Sequence, residues 1–106
     1  MDEMEFRRHA ESSLEALKQS LISAEENAGM EVEEQSGALH ISFDDPPARF
    51  VISPNAPMRQ IWISALSTSF KLDWKNDDWV LERTGERLKP LVGRLISEQT
   101  GDTVTL

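Results

Sequence analysis

Acidic side chains in the first third of the chain are the residues best suited to chemistry. Glu11 and Glu15 are four residues apart, a spacing that places both on one face of a helix. Glu31 and Glu33 are two apart, which places both on one face of a strand. Carboxylate oxygens are hard ligands that suit Fe(II), Fe(III), Mn(II), Ca(II) or Mg(II). The pattern allows an oxygen-only metal surface, but loosely spaced surface carboxylates usually bind metal weakly, and a solvated acidic face that only aids solubility is the competing interpretation.

The two histidines do not strengthen a metal assignment. Neither His9 nor His40 has a second histidine four residues away or a Glu-x-x-His partner, which are the spacings of strong metal sites. We therefore expect both to be surface residues rather than ligands.

A tryptophan in the segment RQIWISA is the second unusual feature. Strict alternation sends Ile61 and Ile63 to one side of a strand, and Gln60 and Trp62 to the other. An exposed tryptophan beside polar groups is typical of a protein-binding surface, because rigid aromatic area concentrates binding energy. The chain contains no nucleophile elbow and no glycine-rich phosphate loop, so the sequence disfavours an enzyme.

Composition narrows the class of protein. The 106 residues carry a net charge of -8 and no cysteine, which suits one domain over residues 1–106 without disulfides. Residues 1–45 hold 12 acidic and three basic side chains, a net charge of -9, so nearly all of the negative charge lies in this half. This charge disfavours nucleic acid and anionic membranes as partners and favours cations or a basic protein. With no apolar run of membrane-spanning length, the sequence predicts a cytoplasmic protein.

The elements that must position these residues follow from hydrophobic periodicity. Apolar residues every three or four positions predict a helix over residues 3–28, and a shorter stripe predicts another over residues 88–99. Between the helices the period changes to two, which predicts about six antiparallel strands at residues 30–35, 38–43, 48–53, 59–65, 69–74 and 79–82. Each helix has one apolar stripe and each strand one apolar face. The fold class is therefore α+β: a two-layer sandwich with both terminal helices packed on one face of the sheet.

Three segments of this pattern resemble a known family. Residues 57–64 (PMRQIWIS), 70–74 (FKLDW) and 79–80 (WV) are similar to the frataxin signature, in which a proline precedes a Gln-Ile/Val-Trp strand and an aromatic-Asp-Trp strand follows. The opening EFRR at residues 5–8, the strand GALHISF at residues 37–43 and the Thr-Gly turn at residues 84–85 resemble the bacterial branch. The resemblance covers nearly the whole chain.

The resemblance implies an acidic iron-binding adaptor, a monomer that docks on the cysteine desulfurase and iron-sulfur scaffold complex and modulates cluster assembly. Carried onto this chain, it assigns weakly bound iron, Fe2+ or Fe3+, to a set of carboxylates that we call the acidic ridge: Glu11, Glu15, Glu25, Glu26, Glu31 and Glu33. It assigns scaffold contacts to Asn55, Gln60 and Trp62. The alternative is an acidic protein-binding module without a physiological metal.

This chain departs from the family pattern at several positions. Family members usually carry more acids in the second half of the first helix, where this chain has Lys18, Gln19, Ile22 and Ser23. Ser53 stands where an asparagine is common. The sequence leaves open the iron stoichiometry, the oligomeric state with iron, and whether the effect on the desulfurase is activating or inhibiting.

Overall fold

The first element of the fold is a 26-residue helix, α1 (Glu3–Ala28), with the bounds that the sequence predicts. In the computed structural model, which describes all residues from Met1 to Leu106, Asp2 caps this helix. The Asp2 carboxylate accepts a hydrogen bond from the backbone N–H of Glu5 at 2.8 Å, and this bond lowers the pKa of Asp2. Gly29 ends the helix at a φ of 63°, a left-handed conformation that favours glycine.

The sheet that follows is antiparallel and its seven strands lie side by side in chain order. The strands are β1 (Met30–Gln35), β2 (Ala38–Asp44), β3 (Pro47–Asn55), β4 (Gln60–Ala65), β5 (Thr68–Lys75), β6 (Asp78–Leu81) and β7 (Glu86–Arg87). The two-residue β7 goes beyond the predicted six strands, because two residues are too few to show alternation. β3 continues two residues past its predicted end, and its last residue, Asn55, pairs with Gln60.

The second helix, α2 (Leu88–Thr100), follows β7 directly and carries Pro90 in its first turn, where the missing N–H is tolerated. The C-terminal tail folds back on this helix. The hydroxyl of Ser97 accepts a hydrogen bond from the N–H of Val104 at 2.8 Å, and Leu106 packs against the core. A Cβ at Gly93 would lie 3.1 Å from the carbonyl oxygen of Val104, so a glycine permits this close approach.

Both helices pack on one face of the sheet, as predicted, and enclose a core of 24 buried hydrophobic residues. Ile61 and Ile63 of β4 point into it with 0% and 1% exposure, and no polar or charged residue is buried. Trp79 is fully buried against Phe6, with ring centroids 5.6 Å apart, and its indole N–H donates to Ser13 Oγ at 3.1 Å. Neither helix is long and apolar enough to cross a membrane.

Candidate functional site

The acidic ridge lies where α1 runs beside β1, one of the two edge strands of the sheet. Glu11 and Glu15 stand on consecutive turns of α1 and line one cleft together with Glu34. Glu31 and Glu33 alternate with Glu34 along β1, so their side chains lie on the face of the sheet away from the helices. The structure therefore divides the predicted ridge between two sides of β1.

Glu34 is the acidic residue that the sequence interpretation left out. Its carboxylate accepts a hydrogen bond from Lys18 Nζ at 3.0 Å, and this contact raises the pKa of Lys18, with Glu15 adding to the effect. Gln19, the residue after Lys18, donates from its Nε2 to Glu15 Oε1 at 2.9 Å. Two of the residues that replace family acids thus contact the acids that are present. The alternation that places Met30 and Val32 toward the helix was the available signal for Glu34.

Glu25 makes a contact inside the fold. Its Oε2 accepts a hydrogen bond from the backbone N–H of Val32 at 2.8 Å, in a partly buried position. This contact ties the last turns of α1 to β1. Glu26, the next residue, is exposed near the helix end and makes no side-chain hydrogen bond or ion pair. Of these two predicted ligands, only Glu25 therefore has a hydrogen-bond partner within the protein. This partner could not be predicted from the sequence, because the bond joins two different elements of the fold.

The donor chemistry of the ridge fits an oxygen-preferring cation, although the carboxylates are spread apart. No three His, Asp or Glu side chains form a group that could hold a metal ion. Exposed carboxylates in ones and twos leave most coordination positions of a hard cation to water. The arrangement thus suits a hydrated, loosely held ion, and the assignment of iron to these six residues stays a prediction.

The two histidines lie in defined environments at the surface. His9 stacks on Trp74, with ring centroids 4.1 Å apart and planes 19° from parallel. His40 lies on the open face of the sheet, directly across from Glu33 on β1, and its Nδ1 is buried without a hydrogen-bond partner. Both histidines are partly exposed, so they lie at the surface as expected. That neither binds metal stays a prediction.

Trp62 lies on the open face of the sheet, opposite the helices, as the alternation predicts. It is half-buried because its neighbours hold it: the indole N–H donates to Gln60 Oε1 at 2.9 Å, and Lys71 Nζ lies 4.8 Å from the ring centroid. Gln60 Nε2 in turn donates to Asp73 Oδ1 at 3.0 Å. We call Gln60, Trp62, Lys71 and Asp73 the tryptophan patch. Lys71 and Asp73 were not predicted, but they are the cross-strand partners of Trp62 and Gln60.

Asn55, the third predicted partner-binding residue, lies beside the tryptophan patch. It pairs with Gln60 in the register of β3 and β4, and its side-chain oxygen accepts the backbone N–H of Met58 at 3.0 Å. This bond shapes the turn between the two strands. The structure thus brings all three predicted residues, Asn55, Gln60 and Trp62, to one end of the open face.

Comparison with known proteins agrees with this architecture. A family model described as a frataxin-like domain matches residues 1–102. The chain is 29% identical over 108 residues to the iron-sulfur cluster assembly protein CyaY of Janthinobacterium sp. (strain Marseille), covering 100% of this chain and 96% of that protein.

Solved structures show the same fold. Frataxin from Psychromonas ingrahamii superposes with a TM-score of 0.85 at 20% identity, covering 99% of this chain and 97% of that one. Trimeric frataxin from Saccharomyces cerevisiae, complexed with ferrous iron, superposes with a TM-score of 0.73 at 26% identity, covering 89% and 87% of the two chains.

Proposed function

The chain belongs to the frataxin family, and on that premise we propose that it is an acidic iron-binding adaptor of iron-sulfur cluster assembly. In this proposal it docks, as a cytoplasmic monomer, on the cysteine desulfurase and scaffold complex and modulates cluster formation without catalysing a reaction itself. The CyaY relative is an iron-sulfur cluster assembly protein, and the yeast frataxin structure holds ferrous iron. Both support this assignment.

The observation that carries the proposal is the presence of two chemically different surfaces on one sheet. The acidic ridge follows α1 and β1, and the tryptophan patch lies on β4 and β5, across the open face. An acidic surface attracts cations and basic proteins, whereas a held aromatic ring beside polar groups suits a specific protein contact. We assign iron and the basic surface of the desulfurase to the ridge, and the scaffold to the tryptophan patch with Asn55.

Iron held at the ridge would keep much of its water. Exposed carboxylates stay hydrated, and their attraction for a cation is screened over roughly 8 Å at physiological ionic strength. Binding is therefore weak, relies on oxygen ligands alone, and falls as salt is added. Weak binding suits a protein that passes its ion on.

Reversal of two ridge charges tests the metal assignment. In the double variant Glu31→Lys, Glu33→Lys, the shifts that Fe(II) induces in NMR amide spectra along β1 should disappear under anaerobic conditions. The matched control is Asp77→Lys, Glu82→Lys, which makes the same charge change at exposed positions in the second half of the chain. Iron shifts that persist along β1 in the first variant, or vanish equally in the control, contradict the assignment.

Salt dependence tests the docking surface. The desulfurase should present basic residues to the ridge, and association between opposite charges slows steeply as salt rises. Binding measured from low to physiological ionic strength should weaken accordingly. A salt-independent affinity would refute electrostatic docking while leaving the iron assignment untouched.

A protein-binding module without metal is the second candidate. Two acids favour this candidate because their carboxylates already have hydrogen-bond donors within the protein. Glu25 accepts a hydrogen bond from the N–H of Val32, and Glu34 accepts one from Lys18 Nζ. Titration with Fe(II) and with Ca(II) separates the two candidates. An iron-binding adaptor should show NMR amide shifts localised at the ridge with Fe(II). A metal-free module should show only the weak, widespread amide shifts that a rise in ionic strength causes.

A further inference from the structure

A cleft of about 560 Å³ opens between the first half of α1 and the turns of the sheet. Its volume lies in the range of small-molecule sites in proteins. The helix contributes Ala10, Glu11, Leu14 and Glu15 to its lining, and the sheet contributes Glu34 and Leu39.

The lining combines an apolar floor with an acidic rim. Ala10 and Leu14 of α1 and Leu39 of β2 all line the cleft and are at least nine-tenths buried, so they form its floor. Glu11, Glu15 and Glu34 supply three carboxylates. One guanidinium, that of Arg7, also reaches the cleft, but it already pairs with Glu3 at 3.4 Å. The cleft therefore offers apolar contact and negative charge together.

Lys18 shows which kind of group this rim accepts. Its ammonium donates to Glu34 at 3.0 Å, while its side chain, only 29% exposed, lies along the protein surface. A primary ammonium on an aliphatic stem thus already occupies one carboxylate of the rim. Glu11 lies one turn before Glu15 on the helix, and its carboxylate makes no hydrogen bond and no ion pair. One carboxylate of the rim is therefore available to a second cation.

We propose that this cleft binds a primary alkylammonium ion, with the ammonium at Glu11 and Glu15 and the alkyl chain over Ala10 and Leu14. The three carboxylates disfavour an anion. The apolar floor does not stabilise a hydrated metal ion, because apolar side chains cannot hydrogen-bond to its water ligands. An amine with a short carbon chain uses both parts of the cleft. The site shares Glu11 and Glu15 with the acidic ridge but does not rest on the function proposed above.

The test is an NMR amide titration of the iron-free protein with n-butylammonium chloride. Two titrations control for the separate parts of the ligand: sodium chloride at equal ionic strength supplies charge without a chain, and 1-butanol supplies the chain without charge. We expect saturable shifts at the amides that line the cleft, including Ala10, Gly37 and Ala56, with n-butylammonium alone.

Two neutralising variants locate the ammonium. Glu11→Gln should weaken n-butylammonium binding about fivefold, the size expected when a partly exposed ion pair is removed. The control is Glu26→Gln, which removes the same charge from an exposed position on the same helix but away from the cleft, and it should leave the affinity unchanged.

Three results would overturn the proposal. They are equal shifts with sodium chloride, shifts spread over the acidic half without saturation, and unchanged affinity in both Glu11→Gln and Glu15→Gln. Because no iron and no partner protein are present, these results leave the proposed adaptor function standing. Conversely, failure of the iron titration leaves the alkylammonium site untouched.

Discussion

The two faces of the central sheet are built from the same strands but are held by different forces. On β4, Ile61 and Ile63 face the helices and are almost completely buried. Trp62, between them, faces outward and is half-buried; it donates a hydrogen bond to Gln60, and Lys71 lies against its ring. The helix side gains free energy by removing apolar surface from water. The open side uses polar contacts to fix the direction of one large ring. If the proposed function holds, stability and recognition are divided between alternate residues of one strand.

The largest effect is expected on the helix side. Ile61→Ala should lower the free energy of unfolding by about 2 to 5 kcal/mol, because it removes buried methyl groups and leaves a cavity in a small core. Urea denaturation followed by circular dichroism measures this loss. A loss below about 1 kcal/mol would show that the core relaxes to fill the space, and the contrast between the faces would fail.

Trp62→Ala is the matched change on the open side. It should lower the free energy of unfolding much less than Ile61→Ala does, because the ring is only half-buried, and it should weaken binding to the scaffold and desulfurase complex at least about tenfold, since aromatic anchors carry binding energy. A thermal melt and a binding assay on the same sample separate the two quantities. A melt as damaged as that of Ile61→Ala would make the tryptophan a core residue.

Glu25→Ala tests whether a polar contact on the helix side contributes as little to the free energy of unfolding as the polar contacts on the open side. The variant removes the acceptor of the Val32 N–H, and a lost hydrogen bond of this kind costs about 1 kcal/mol. Glu26→Ala, one residue later and exposed, is the control and should cost less. Equal unfolding midpoints in urea would mean that water replaces the Glu25 carboxylate without loss.

The smallest effect concerns a surface ion pair that depends on pH. The pKa of Glu86 is lowered mainly by its hydrogen bond from Arg94 at 2.6 Å, so its contribution to stability is present at neutral pH and is lost as pH falls through the lowered pKa. Glu86→Gln should cost less than about 1 kcal/mol at pH 7, because Arg94 is 45% exposed. The difference from the parent protein should vanish in acid. Urea midpoints over a pH series check this, and a constant difference would contradict it.

The periodicity of the sequence predicted the framework well. The bounds of α1, the position of α2, the order of the strands and the outward direction of Trp62 all follow from the spacing of apolar residues, and the structure confirms them. What escaped prediction was short or depended on distant partners. β7 is too brief to alternate, and the stacking of His9 on Trp74 joins residues far apart in the chain.

The candidate site shows the same division. Spacing along α1 correctly grouped Glu11 with Glu15, and spacing along β1 grouped Glu31 with Glu33. Alternation along β1 already separates Glu34 from Glu31 and Glu33, but spacing within single elements could not show that Glu34 joins Glu11 and Glu15 in one cleft. Nor could spacing show that the Glu25 carboxylate accepts a hydrogen bond from the backbone N–H of Val32.

The hydrogen bond between Glu25 and Val32 also limits how this protein can polymerise. An open sheet has two margins, and bare backbone groups there can recruit a strand from another molecule. At one margin the N–H of Val32 is already occupied by a carboxylate, and glutamates on both faces of β1 repel a second copy. The other margin, β7, offers only two residues. Strand addition is therefore disfavoured at both margins of the sheet by the chain itself.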